Sequence, residues 1–109
     1  MKLHIALLAS GLLVAGGAFA QAKVDAKAAE ALAQKSGCIA CHNVDKKIIG
    51  PAYKEVAAKY KADKAAADKL AAKVIKGGVG AWGQVPMPAN PQVSEAEAKK
   101  LVAWILATK

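Results

Sequence analysis

Five consecutive residues constrain this chain more than any others: Cys38-Ile39-Ala40-Cys41-His42. On a helical turn, thiols at i and i+3 share one side, and an imidazole at i+4 projects from that side too. Two sulfur nucleophiles and one nitrogen ligand are thereby presented to a single flat partner. Cys-x-x-Cys-His is the attachment signature of c-type haem, in which each thiol adds to one porphyrin vinyl group and the histidine binds iron as a neutral imidazole. Three other uses of the pattern fare worse. A thioredoxin-like redox pair needs a β-α-β setting that the sequence lacks. A structural zinc ion needs four ligands, and beyond His4 only Cys38, Cys41 and His42 remain among Cys and His. A disulfide between Cys38 and Cys41 would close so short a loop that it adds little stability.

Composition makes the same demand from another direction. The chain has 109 residues, enough for one small domain, and its 55% hydrophobic content is inflated by alanine and by an apolar N-terminus. Residues 23–109 contain 21 Ala, four aromatics (Tyr53, Tyr60, Trp82, Trp104) and 18 residues of Leu, Ile, Val or Met. Domains of this size bury only about 60–65% of the surface their unfolded chains expose and need a staple. Two cysteines exclude a disulfide scaffold. A large apolar ring would supply the missing core.

The N-terminus reads as an export signal. Met1-Lys2-Leu3-His4 is followed by a mainly apolar run to Ala15 and by two overlapping Ala-x-Ala sites, Ala18-Phe19-Ala20 and Ala20-Gln21-Ala22. We expect cleavage after Ala20 or Ala22, a domain over 23–109, a periplasmic location and no stable membrane anchor after processing. The alternative is an uncleaved anchor, since Leu3 to Ala22 nearly spans a bilayer. Every one of the 16 basic residues is lysine, and removing Lys2 leaves 15 against eight acids, a net charge of +7. Without the planar fork of arginine, phosphate recognition is disfavoured and nucleic acid is not an expected partner. The lysines read either as a solvating coat or as a steering field for an acidic protein surface.

Element signals are helical throughout. A first helix is expected over about 24–36, stopped by Gly37, then a short helical turn over 38–42. Pro51 is placed in the first turn of a helix reaching about Lys61, with Tyr53, Val56, Ala57 and Tyr60 along one face. Asp63 is expected to cap the next helix, where Ala66, Leu70 and Val74 line one side until Gly77-Gly78. Four Gly and three Pro between Gly77 and Pro91 argue against regular structure there. Ser94 and Glu97 form a capping box for the last helix, with Leu101, Trp104, Ile105 and Thr108 on its face. No strand is expected. The fold class is all-α, four to five short helices around one haem.

A second axial ligand follows by elimination. With His4 removed and His42 in use, no histidine remains, and Met87 is the only methionine left. It lies between Pro86 and Pro88, whose rings stiffen the backbone that must present a thioether. An incidental loop methionine is the plain alternative, and lysine is a poor rival because it is protonated at neutral pH. A soft sulfur favours Fe(II) and raises the reduction potential.

The chain resembles the small class I cytochromes c of bacteria, of the cytochrome c-551/c-552 type. The likeness is carried by Cys38-Ile39-Ala40-Cys41-His42, Gly50-Pro51-Ala52-Tyr53-Lys54, the run Gly80-Ala81-Trp82-Gly83-Gln84-Val85-Pro86-Met87-Pro88, and Leu101 with Trp104-Ile105. The resemblance implies that the Pro51 carbonyl accepts from His42 Nδ1–H, that the Trp82 indole donates to a haem propionate, and that Lys73 lies near the propionates. It implies an Asn90 amide within reach of the Met87 sulfur, and plain packing for Trp104. Two features depart from the family: Leu32-Ala33 stands where a bulky aromatic is frequent, and Lys73 where relatives often have Arg.

A haem iron held by His42 and Met87 leaves no open position for substrate. The expected function is therefore one-electron carriage, not enzymic, by a monomer between respiratory redox partners. The family suggests nitrite reductase, a terminal oxidase, a peroxidase or a membrane quinol-oxidising complex. Lys35, Lys46 and Lys47 flank the motif and are expected to meet acidic docking surfaces. The alternatives are a haem enzyme or gas sensor with a displaceable sixth ligand, and a docking subunit of a larger redox complex.

Overall fold

The computed structural model describes residues 24–109; the expected signal peptide over 1–22 lies outside them. Four α-helices, one short 3-10 turn and a two-stranded ribbon follow one another: α1 Ala26–Lys35, the turn Cys38–Ala40, α2 Tyr53–Lys59, α3 Ala66–Lys76, β1 Gly78–Gly80, β2 Gly83–Met87 and α4 Glu95–Leu106. Among the described residues no helix is long and apolar enough to cross a membrane.

The helix ends follow from local chemistry. Asp25 caps α1, its carboxylate accepting from Ala28 N–H at 3.0 Å. Gly37, just past the Ser36 cap, takes the left-handed conformation at φ 79°. The expected capping box on α4 is present: Glu97 N–H donates to Ser94 Oγ, and Ser94 N–H donates to Glu97 Oε1, both at 3.1 Å. These bonds hold the Glu97 carboxyl below the usual carboxylate range.

α4 is the hub. α1, α2 and α3 all pack on it, around a core of Ala33, Ala71, Val74, Val93, Ala98, Leu101 and Val102. Leu101 and Val102 are the largest side chains fully buried. So thin an apolar centre is what the alanine-rich composition foretold.

Besides shifts of one or two residues, such as the motif's turn ending at Ala40 instead of His42, the structure departs from the sequence reading in four places. The Gly/Pro-rich stretch is not irregular: β1 and β2 pair antiparallel, Gly78 with Met87 and Gly80 with Gly83. Pro86 is tolerated on an edge strand, the register is irregular between Gly78 and Gly80, and Gly80 and Gly83 turn the chain at φ 100° and 105°. Asp63 does not cap α3; the helix starts at Ala66, after an Asx turn in which Asp63 Oδ1 accepts from Ala65 N–H at 2.9 Å. That bond, with Lys69 beside it, lowers the Asp63 carboxyl. α2 begins at Tyr53, leaving Pro51 ahead of the Ala52 cap. α4 ends at Leu106, with Thr108 beyond it, and its buried residues are Ala98, Leu101 and Val102.

Candidate haem-attachment site

One large cleft, about 1160 Å³ counted out to its mouth, opens between the 41–51 loop, α2, α3, the ribbon and the end of α4. Its walls are mostly apolar, from Ile49, Val56, Leu70, Val74, Val79, Val85, Val102 and Ile105. The cleft gathers most of the expected site residues: Cys41, His42, Pro51, Lys73, Trp82 and Met87 all line it. Cys38 packs against the adjoining core.

The motif is folded by its own backbone. Within the 3-10 turn Cys41 N–H and His42 N–H both donate to the Cys38 carbonyl, at 3.2 and 2.9 Å. Both cysteines are free thiols, partly exposed. Burial pushes the Cys38 thiol up, against a backbone hydrogen bond that pulls it down.

His42 is clamped from two sides. Its Nδ1 lies 2.8 Å from the Pro51 carbonyl, so Nδ1 carries the proton as donor and Nε2 is left as the metal-binding nitrogen. The carbonyl is available because α2 starts late: Glu55 and Val56 N–H donate to Ala52 instead, at 3.0 and 3.1 Å. On the other side, a Cβ built on Gly50 would stand 2.5 Å from His42 Cε1 and 2.9 Å from Nδ1. Only bare backbone fits beside the ring. Behind it Tyr53 stacks at 5.2 Å, and Trp104 meets Tyr53 edge-on at 5.3 Å. Burial drives the Tyr53 phenol well above its ordinary range. Gly50 carried no chemical signal in the sequence beyond its place before Pro51.

Met87 ends β2, in a segment braced from below. A Cβ on Gly77, where φ is 73°, would stand 2.6 Å from the Met87 carbonyl oxygen and 2.7 Å from Ala89 N. Asn90 is part of this brace. Its amide donates to the Val74 and Pro88 carbonyls, at 3.0 and 3.3 Å, rather than to the Met87 sulfur. That corrects the expected contact: Asn90 ties the loop to α3, because two backbone acceptors satisfy both amide hydrogens. Lys73 lies along Gly78, its Cε 3.2 Å from where a Cβ would be. Trp82 sits on the rim, 39% exposed.

These features meet the requirements of a covalently tethered haem. Two free cysteines stand three residues apart at one turn, one histidine has its tautomer set, and the walls are apolar where the core falls short. The cytochrome c family model matches residues 26–109. The chain belongs to the cytochrome c family. Cytochrome c-551 of Allochromatium vinosum is 65% identical over 75 residues, covering 69% of this chain and 80% of its own. Cytochrome c-552 of Nitrosomonas europaea is 52% identical over 101 residues, covering 93% and 90%. The crystal structure of that Nitrosomonas cytochrome c552 superposes with a TM-score of 0.72 at 52% identity, over 73% of this chain and 99% of that one. The chain is a small class I cytochrome c, and membership of the family implies a covalently attached c-type haem and a role in electron transport.

Proposed function

We propose that this cytochrome c is a periplasmic one-electron carrier in which Cys38 and Cys41 tether the haem and His42 and Met87 ligate its iron. The observation that carries the reading is the 2.8 Å approach of His42 Nδ1 to the Pro51 carbonyl, on a cleft that Met87 also lines. A haem c bound there supplies the Fe(III)/Fe(II) couple, with a thioether favouring the reduced state. The chain's own residues do the rest. Pro51 orients the imidazole, the ribbon and Asn90 hold Met87, and the apolar walls exclude water. Trp82 on the rim and Lys73 beside Gly78 offer one indole N–H and one cation to the propionates.

Absorption spectra of the oxidised and reduced protein, followed by carbon monoxide addition at neutral pH, test the ligand set. We expect a six-coordinate spectrum in both states and slow or no carbon monoxide uptake. Rapid uptake would instead support a displaceable sixth ligand, and with it the enzyme or sensor reading.

Docking falls to the motif's face. Lys35, Lys46 and Lys47, which flank the motif in sequence, are exposed, as are Ile39, Ile48 and Ile49. An apolar centre with a cationic rim suits acidic redox partners such as nitrite reductase, a terminal oxidase, a peroxidase or a quinol-oxidising complex. Changing the three lysines to Gln slows electron transfer to such a partner on the order of tenfold at low salt and flattens its salt dependence. Unchanged stopped-flow rates at low ionic strength would reject this surface.

A further inference from the structure

Lys59, the last residue of α2, reaches across 22 positions to the ribbon's turn. Its Nζ donates to the Ala81 carbonyl at 2.9 Å and stands 4.5 Å from the centroid of the Trp82 ring. A cation within about 6 Å of an indole face is attracted by the ring quadrupole. No other side-chain hydrogen bond joins α2 to the ribbon among the described residues. The turn it grips is Gly80-Ala81-Trp82-Gly83, bounded by two glycines of positive φ. Such a turn has little stiffness of its own. Both Ala81 and Trp82 line the cleft, and Met87 lies at the far end of the same ribbon, paired with Gly78.

We propose that Lys59 is a positioning residue, a latch that holds the ribbon's turn against α2 so that Trp82 stays on the cleft rim and Met87 stays directed at the iron. The proposal rests on Met87 being a ligand. Its physical content is one ammonium acting at two points of one turn. The carbonyl bond sets the height of the turn, and the cation sets which face the indole shows outward. Released from both, the ribbon opens from its tip, and the opening runs from the Gly80–Gly83 pair toward the Gly78–Met87 pair. Lys59 is exposed, so replacing it leaves the core intact.

The test is amide hydrogen exchange on the haem-loaded protein, with free imidazole added to the oxidised form as a second probe. Lys59→Met keeps the length of the stem and removes both donor and charge. We expect exchange over Gly78–Met87 to quicken about five- to tenfold, and imidazole to bind several-fold faster, while α4 amides stay unchanged. Lys59→Arg, which donates and stacks on aromatic rings, restores both to within about twofold. Unchanged ribbon exchange in Lys59→Met, equal acceleration in α4, or failure of Lys59→Arg to rescue would each overturn the latch. A wild-type protein without Met87 ligation overturns the carrier reading instead, and the exchange comparison then still decides whether Lys59 holds the turn.

Discussion

Gly77→Ala destabilises this protein by about 3–5 kcal/mol and lowers its melting midpoint by on the order of 20 °C. Two costs combine. The residue sits at φ 73°, ψ −176°, a region that side-chain-bearing residues almost never occupy. The added methyl would also stand 2.6 Å from the Met87 carbonyl oxygen, 2.7 Å from Ala89 N and 2.9 Å from Pro88 C. All three are backbone atoms, so no rotamer change relieves the contact; the Met87 segment has to move. Thermal unfolding gives the stability, and the spectrum of the oxidised protein reports whether the thioether keeps the ligand role proposed for it. Gly37→Ala is the matched control. It has a similar φ of 79° with nothing within 4 Å of the new Cβ, so it costs only the left-handed strain, about 1 kcal/mol. If the two variants prove equally stable, Gly77 is not the support of the methionine arm.

Gly50→Ala acts on His42, the other proposed ligand, and by a different route. Here the new Cβ meets a side chain, His42, at 2.5 Å from Cε1 and 2.9 Å from Nδ1. The ring can yield, and in yielding it gives up the 2.8 Å bond to Pro51. We expect a stability loss of about 1–3 kcal/mol. The more telling change is in the histidine. Its Nδ1–H signal, sheltered by the carbonyl in the parent, broadens through exchange with water, and with His42 in its proposed role the ligand field at the iron shifts with ring orientation. Pro51→Ala keeps the carbonyl and removes only the pyrrolidine ring. It should therefore retain the His42 signal and cost under about 1 kcal/mol. A Gly50→Ala protein with the parent's stability and histidine spectrum would show that the ring does not need bare backbone beside it.

Both predictions concern glycines whose close contacts no local sequence pattern announces, and the reason is general. Capping signals are written within one turn of chain, so Ser94 with Glu97 was legible, as was the stop at Gly37. The Cys-x-x-Cys-His spacing is equally local. Strand pairing is not: β1 and β2 are held by bonds between residues up to nine apart, through a stretch whose glycines and prolines argue for irregularity when read one at a time. Asp63 was misread for a related reason. Asx turns and helix caps use the same carboxylate-to-amide bond, and only the following backbone decides between them.

Sequence alone determined the chemistry: two thiols and an imidazole at one spacing, one methionine besides Met1 and set between prolines, and a residue inventory too light to fill a core without a large apolar guest. Those conclusions need only counting and the geometry of one helical turn. Tertiary structure decided how the chemistry is held. α2 starting at Tyr53 frees the Pro51 carbonyl for His42, Gly50 and Gly77 admit a ring and a backbone at distances no side chain permits, Asn90 braces the loop instead of touching sulfur, and Lys59 crosses to the ribbon. Each depends on which distant segments meet, and local periodicity carries no information about that.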